Sequence, residues 1–306
     1  MKTSTPSRAL EAYLADARGR VDAVLERWSA RSERFWPSRS PMPAAVRYSL
    51  LSTGKRLRPT LVVACHEAVG GGSPAVAELA AAVEVVHAYS LVHDDLPCMD
   101  NDDLRRGRPT THRAFDVRTA TEAGYHMVAL AARVLAAGMD ALELDVERRR
   151  TIALELFRAA GAGGMIGGQA LDLEAEGRRL HAAELREIHR RKTGALIAAS
   201  CVIGGLAAGA APAAREALRG YGADMGLAFQ VYDDVLDATA TSDQLGKTAG
   251  KDAALAKSTF VTLLGVGAAR AEAERLAARA VDRLRHGGLA SPTLVALAHY
   301  IVTRPS

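Results

Sequence analysis

The chain has 306 residues, 49% of them apolar, 24% charged and 5% aromatic, with a net charge of +4 at neutral pH. That length suits one large domain or two ordinary ones, and the apolar share can bury a substantial core. The basicity is mild, Arg is interleaved with Glu as in "LELDVERRRTIALELFR", and few rings are available for base stacking; nucleic acid is therefore not the expected partner.

Ala, Leu and Arg dominate, which favours helices throughout. Residues 8–30 form the first predicted helix, with Leu10, Leu14, Val21 and Val24 or Leu25 at helical spacing. "FWPSRSPMP" is a break, "AAVRYSLL" restarts a helix, and "STGKRLRP" is a basic turn before "TLVVACHEAVGGG". From Pro74 a long apolar helix runs to "LVHDD", where Pro97 interrupts it. Further helices are predicted over 119–139, 144–174 (broken near Gly161–Gly168), 181–210, 213–238, 253–285 and 291–302. No repeat and no composition shift marks a linker, so one helical domain is expected, with residues 1–40 as its N-terminal helix and Pro/Ser connection and 41–306 as its main body.

Cys65, Cys98 and Cys201 stand far apart without metal-type spacing, which reads as reduced thiols and a cytoplasmic setting. The first residues show no apolar signal-peptide region. Gly194–Ala214 is uncharged and long enough to span a bilayer, but its glycines, Pro212 and many alanines predict a buried core helix and a turn instead of a membrane insertion.

Two acidic clusters carry the chemistry. "LVHDDLPCMDNDDLRRGRPTTH" crowds Asp94, Asp95, Asp100, Asp102 and Asp103 together, with Arg105, Arg106 and Arg108 close behind. Like charges at helical spacing repel. His87 and Asp94 share a helix face, and a bulge at Pro97 would bring Asp100 back beside Asp94. In "FQVYDDVLDATATSDQLGKTAGKD", Gln230, Asp233, Asp234 and Asp237 fall at i, i+3, i+4 and i+7, one stripe of one helix. Buried carboxylates without partners are costly, and a hard divalent cation such as Mg²⁺ removes that cost, taking one or two carboxylates plus substrate phosphates. Basic turns flank both clusters: Lys55, Arg56 and Arg58 in "GKRLRP", Arg105 and Arg106 in "DDLRRGRP", Lys192 in "HRRKTG" and Lys247 in "LGKTAGKD". Metal with Arg and Lys is the usual means of holding a diphosphate as it leaves.

In this order, "GKRLRP", "HAYSLVHDDLPCMDNDDLRRGRPTTH", "GGQALDL", "RKTGAL", "FQVYDDVLD" and "LGKTAGKD" resemble the trans-polyprenyl diphosphate synthases, from about residue 41 onward. The resemblance implies an all-α isoprenoid-synthase fold of long helices around a deep central cavity, usually a homodimer. It implies head-to-tail condensation of isopentenyl diphosphate with an allylic diphosphate. By matching position, Asp94 and Asp100 would hold two Mg²⁺ ions and Asp233 a third, with Asp237 in support. Arg105, Lys192 and Lys247 would grip the allylic diphosphate, and Lys55, Arg58, His87 and Arg106 isopentenyl diphosphate. Lys192, Thr193 and Gln230 would line the place where the carbocation forms. His93 and His112 have no evident catalytic partner and are expected to be structural.

Product length rests on the residues preceding Asp94. An ideal helix puts Ser90, not Tyr89, on the face of Asp94. The resemblance points the other way: an aromatic at Tyr89 with the two-residue insertion in "DDLPCMD" is similar to bacterial farnesyl diphosphate synthases, so C15 is expected, with the C20 geranylgeranyl product the alternative. The chain departs from the family at Thr53 (usually Gly), Tyr125 (usually Asp after Gly) and Thr248 (usually Pro). A class I terpene cyclase would not need "GKRLRP", and a non-catalytic subunit would be expected to lose one acid cluster.

Overall fold

The computed structural model describes residues 8–37, 39–239, 258–289 and 291–304. Lys247 and Thr248 lie outside the described residues, as does part of the helix expected over 253–285. The architecture is all-α. Its helices are α1 (Arg8–Ser32), α2 (Met42–Leu50), α3 (Leu57–Ala68), α4 (Val76–Asp94), α5 (Thr111–Ala114), α6 (Val117–Ala141), α7 (Val146–Ala160), α8 (Met165–Glu174), α9 (Ala182–His189), α10 (Ala195–Ala207), α11 (Pro212–Thr239), α12 (Phe260–Leu264), α13 (Val266–His286) and α14 (Pro292–Ile301).

The long helix α4 is the hub. Its residues from Val76 to Val92 are buried almost without interruption. It is apolar and long enough to cross a membrane by composition, yet 78% of its apolar window is buried inside the protein. α1 lays Ala17, Val21, Leu25 and Trp28 against it, and Trp28 Nε1 donates to Glu78 at 2.8 Å. α6 packs along its other side, with Gly138 set against Leu79. α3 and α10 contribute to both apolar cores, one built around α4 and α6, the other around α11, α13 and α14. α10, the stretch weighed above as a possible span, is the expected core helix followed by a turn.

Three local features depart from the sequence reading. The helix expected over 181–210 contains a π-turn at Arg190–Gly194. Gly265, at φ +81°, separates α12 from α13, where one helix was expected. A small hairpin pairs Leu104 with Pro109 and Arg105 with Arg108. Its two central residues, Arg106 (φ 54°) and Gly107 (φ 73°), are both in the left-handed region, the condition of a type I′ turn, in which the second residue is favourably Gly.

Close helix crossings rely on missing side chains. A Cβ at Gly204 of α10 would sit 2.2 Å from the Val62 carbonyl oxygen of α3, and one at Gly226 of α11 would sit 2.6 Å from the Gly194 Cα. These contacts are backbone, so the clash cannot be relieved by rotating a side chain. Gly204→Ala should therefore lower stability by about 1–3 kcal/mol, the usual penalty of overpacking. Urea denaturation reads this directly, and an unchanged midpoint would show that α3 and α10 can move apart without loss.

Candidate active site

The first acidic cluster is built by the way α4 ends. The helix stops at Asp94, and the chain turns back through Leu96–Met99 until the Asp100 N–H donates to the Asp94 carbonyl at 2.8 Å. Pro97 sits in this turn, and Asn101 adopts a φ of 48° to complete it. Asp100 is thus folded beside Asp94. Its neighbour Asp95 points elsewhere. It is only 3% exposed and receives two parallel bonds from Arg105, Nε at 2.8 Å and Nη2 at 2.5 Å. The adjacent aspartates therefore have different surroundings: Asp95 anchors the hairpin arginine, while Asp94 and Asp100 are grouped with Lys192.

Burial pushes the Asp94 carboxyl up to about 6, and the charges of Asp100 and Asp95 add to that against the pull of Lys192 and Arg105. Lys192, in the π-turn, donates to Asp172 at 2.6 Å. Burial alone would lower its pKa, but Asp172, Asp100 and Asp94 outweigh that and raise it, so the ammonium stays charged. Gln169, one turn before Asp172 on α8, donates to Asp100 at 3.3 Å. α8 can approach the π-turn this closely because Gly168 has no Cβ; one would lie 2.1 Å from the Lys192 nitrogen. Next to Lys192, Thr193 donates its hydroxyl to the Gln230 side-chain oxygen at 2.9 Å. That bond ties the first cluster to α11.

On α11 the second Asp pair divides in the same way. Asp234 accepts the Phe260 N–H at 2.7 Å, holding the start of α12. Asp233 pairs with Arg304, the last described residue after α14. Asp237, one turn further along, is half-buried. Lys55 and Arg58 both lie within the electrostatic reach of Asp233.

The basic turn before α3 sorts its three cations by backbone conformation. Arg56 has a φ of 47°, which turns its side chain inward. There it is 5% exposed, bonded to Glu84 at 2.6 Å, Asp22 at 2.9 Å and the Leu50 and Ser52 carbonyls. It is a structural cation. Arg58 Nη1 lies 3.2 Å from His87 Nε2. A guanidinium has no acceptor, so His87 must accept here and carry its proton on Nδ1. Burial, then Arg58 and Arg106, push His87 well below the ordinary histidine value, which keeps it neutral. Burial also brings Arg58 down to about 10, and its Nε is buried without a partner among the described residues. Arg106 donates to the Thr53 carbonyl at 2.7 Å, lying across Gly54, where a Cβ would meet its guanidinium at 2.5 Å. The family departure at Thr53 thus leaves the backbone acceptor intact.

The sequence-predicted residues therefore fall into two linked groups. Asp94, Asp100, Lys192 and Arg105 form one, and Lys55, Arg58, His87, Arg106 and Asp233 the other, with Thr193 and Gln230 between them. Four residues with defined partners in the site lay outside the sequence expectations: Asp95, Gln169, Asp172 and Arg304. Gln169 and Asp172 stand at i, i+3 in "GGQALDL", a signal that was available; Arg304 had none. His93 and His112 sit in structural settings: His93 Nε2 lies 3.1 Å from the Thr121 carbonyl and His112 Nδ1 3.2 Å from the Thr110 hydroxyl. Tyr125 is 67% exposed on α6 with its ring edge on His93, so that departure falls on the outer face.

The residues fit a hard divalent cation. Burial opposes the charged form of Asp94, a cost that a bound cation would relieve. Among the described residues no three acidic, His or Cys groups close into a ready-made metal cage; Mg²⁺ commonly takes only one or two carboxylates and completes its shell with substrate phosphates.

Comparison with known proteins gives the family. The polyprenyl synthetase family model matches residues 40–286. Farnesyl diphosphate synthase of Escherichia coli is 44% identical over 269 residues, covering 87% of this chain and 90% of that protein. The heterodimeric geranylgeranyl pyrophosphate synthase large subunit 1 of Arabidopsis thaliana is 42% identical over 275 residues, covering 88% and 74%. A geranyltransferase of Helicobacter pylori, solved with magnesium and isoprenyl diphosphate, superposes with a TM-score of 0.81 at 32% identity, covering 97% of each chain. With the family model spanning most of its length and relatives this similar, the chain belongs to the polyprenyl synthetase family of trans-prenyltransferases.

Proposed function

We propose that the protein is a Mg²⁺-dependent short-chain synthase that condenses isopentenyl diphosphate head-to-tail with allylic diphosphates and stops mainly at (2E,6E)-farnesyl diphosphate. The observation that carries this reading is the pairing of two separate basic groups with two acidic clusters in one site. One diphosphate would need only one such group; a condensation needs two.

In this reading Lys192 and Arg105 hold the allylic diphosphate, with Lys247 assigned to the same task by resemblance alone. Asp94, Asp100, Asp233 and Asp237 would hold Mg²⁺, which when bound neutralises charge on the departing diphosphate. Lys55, Arg58 and Arg106 grip isopentenyl diphosphate, and neutral His87 orients Arg58. The allylic C–O bond breaks with its electron pair leaving on diphosphate. Thr193 commits its proton to Gln230, so its oxygen lone pairs are available to face the positive charge that develops. The isopentenyl π-electrons form the new C–C bond, and the proton lost to restore the double bond passes to the departed diphosphate.

The C15 reading rests on Tyr89. Its ring is 7% exposed and packs edge-on to His93. Burial, and then the charge of Asp94, raise its phenol pKa, so Tyr89 lies within the electrostatic reach of the first cluster, although helical spacing alone favoured Ser90. Relatives named for the C15 and the C20 products match at similar identity, and a C20 product is the second reading. We place the catalytic domain over 41–306, with α1 part of the same body, and read the enzyme as a cytoplasmic homodimer. Exposed Tyr125 and Val128 on α6 offer an apolar face for the second copy.

Labelled isopentenyl diphosphate with C5, C10 and C15 primers tests the whole reading. Mg²⁺ should give mainly C15 alcohol after dephosphorylation, and excess chelator none; no condensation with any primer would overturn it. Asp94→Ala should cut kcat by several orders of magnitude with an unchanged circular-dichroism spectrum. A variant within about tenfold of the parent, roughly 1.4 kcal/mol, would contradict its role.

Arg58→Ala should chiefly raise KM for isopentenyl diphosphate and leave KM for the allylic primer nearly unchanged. An equal effect on both would remove the division into two basic groups.

Tyr89→Ala should lengthen the product to C20 or beyond at a comparable total rate, because a buried ring denies room to the next isoprene unit. An unchanged product distribution would place the cavity floor elsewhere.

A further inference from the structure

We infer that Arg304 is the resident counter-ion of Asp233 in the metal-free enzyme, and that the turn after α14 acts as a latch that must release Asp233 before a divalent cation can bind there. The inference rests on the metal reading of Asp233 given above.

Three observations carry it. Arg304 is 1% exposed, an unusual place for a guanidinium, and so it needs a built pocket. The pocket exists: the guanidinium carbon lies 4.2 Å from the Phe229 ring centre and 5.4 Å from that of Tyr232, both on α11 beside Asp233. Its Nη2 donates to Asp233 Oδ1 and its Nη1 to the Ile301 carbonyl. Aromatic faces and a carboxylate together are how a buried guanidinium is stabilised.

Arg304 occupies Asp233 Oδ1, so a divalent cation that takes this oxygen must displace the guanidinium. A divalent cation on Asp233 and a guanidinium on the same carboxylate repel each other across its width. Lys55 and Arg58 already act on Asp233 from the α3 side, so positive charge is abundant there before any cation binds. Arg304 Nε is buried without a partner among the described residues, so the present geometry does not satisfy this side chain fully. The holding turn is slight: Arg304 N–H donates to Tyr300 at 2.8 Å, Thr303 to Tyr300 at 3.1 Å and Val302 to His299 at 3.2 Å. Opening it loses few bonds. Arg304 is thus a positioning residue for the second acidic cluster. It holds Asp233 Oδ1 in the metal-free state and yields it when metal and diphosphate enter together.

The test needs no prenyl substrate. Mn²⁺ binding is titrated by electron paramagnetic resonance, with inorganic diphosphate present, for the wild type, Arg304→Met, Asp233→Asn and the double variant. Arg304→Met should bind Mn²⁺ at least about tenfold tighter, ~1.4 kcal/mol, while Arg270→Met, which removes a cation over the Tyr232 ring and is not bonded to Asp233, should stay within about twofold. The gain should vanish in the Asp233→Asn background. An unchanged or weaker affinity in Arg304→Met, an equal gain in Arg270→Met, or a gain that survives Asp233→Asn would overturn the latch. Hydrogen exchange on the wild-type protein is independent of any folding defect in the variants. Amides of Val302–Arg304 should exchange faster on adding Mn²⁺ and diphosphate, and unchanged or slower exchange would also overturn it. Because neither measurement follows turnover, a failure of the latch is distinguishable from a failure of the prenyltransferase reading.

Discussion

The site depends on one constraint: carboxylates gathered in a half-buried cavity must be compensated. Asp94 shows the cost, its carboxyl driven up to about 6 by burial and its acidic neighbours. Lys192 pulls the other way, with its ammonium also bonded to Asp172 at 2.6 Å. The surrounding architecture supplies the cations. The π-turn places Lys192, the hairpin places Arg105, and the left-handed residue Arg56 turns inward between Lys55 and Arg58. Each is a local irregularity in an otherwise regular helical protein, and irregular backbone of this kind is where strain and function tend to meet.

The paired aspartates show how one motif serves two ends. In "HDDLP" Asp94 is grouped with Lys192 and Asp100 while Asp95 is locked to Arg105; in "YDDVL" Asp233 pairs with Arg304 while Asp234 holds the start of α12. A helix turns its side chains by about 100° per residue, so adjacent acids must look in different directions. The structural member of each pair fixes a neighbouring segment: Asp95 pins the hairpin that carries Arg105 and Arg106, and Asp234 pins the start of α12. Substituting either structural acid would disturb the site through its neighbours, without touching a phosphate.

Much of this was legible in the sequence. The helices from α1 to α11, apart from short α5 and the division of α9 from α10, follow from apolar spacing and Gly/Pro breaks, and the return of Asp100 to Asp94 follows from Pro97. What was hidden had physical reasons. A π-turn keeps helical dihedrals and helical composition, so "HRRKTG" gives no local sign of it. The hairpin is two residues per strand, too short for an alternating pattern, with only the Arg106–Gly107 pair to announce it. Tyr89 falls outside the helical stripe of Asp94, yet the phenol feels its charge; a long side chain covers an angle that Cα positions do not convey. Arg304 was invisible because its partner is 71 residues away, and long-range ion pairs leave no spacing signature.

The central claim is that two acidic clusters on α4 and α11 converge on one metal-bound diphosphate. Crystals soaked with Mn²⁺ and inorganic diphosphate, measured at a wavelength where Mn²⁺ scatters anomalously, test it most directly. The account predicts anomalous peaks within bonding distance of the Asp94 and Asp100 carboxylates and of Asp233, with diphosphate oxygens completing the coordination and Asp95 still on Arg105. Mn²⁺ bound at Asp95 or Asp234 instead, or diphosphate bound with no metal at Asp94, would contradict it.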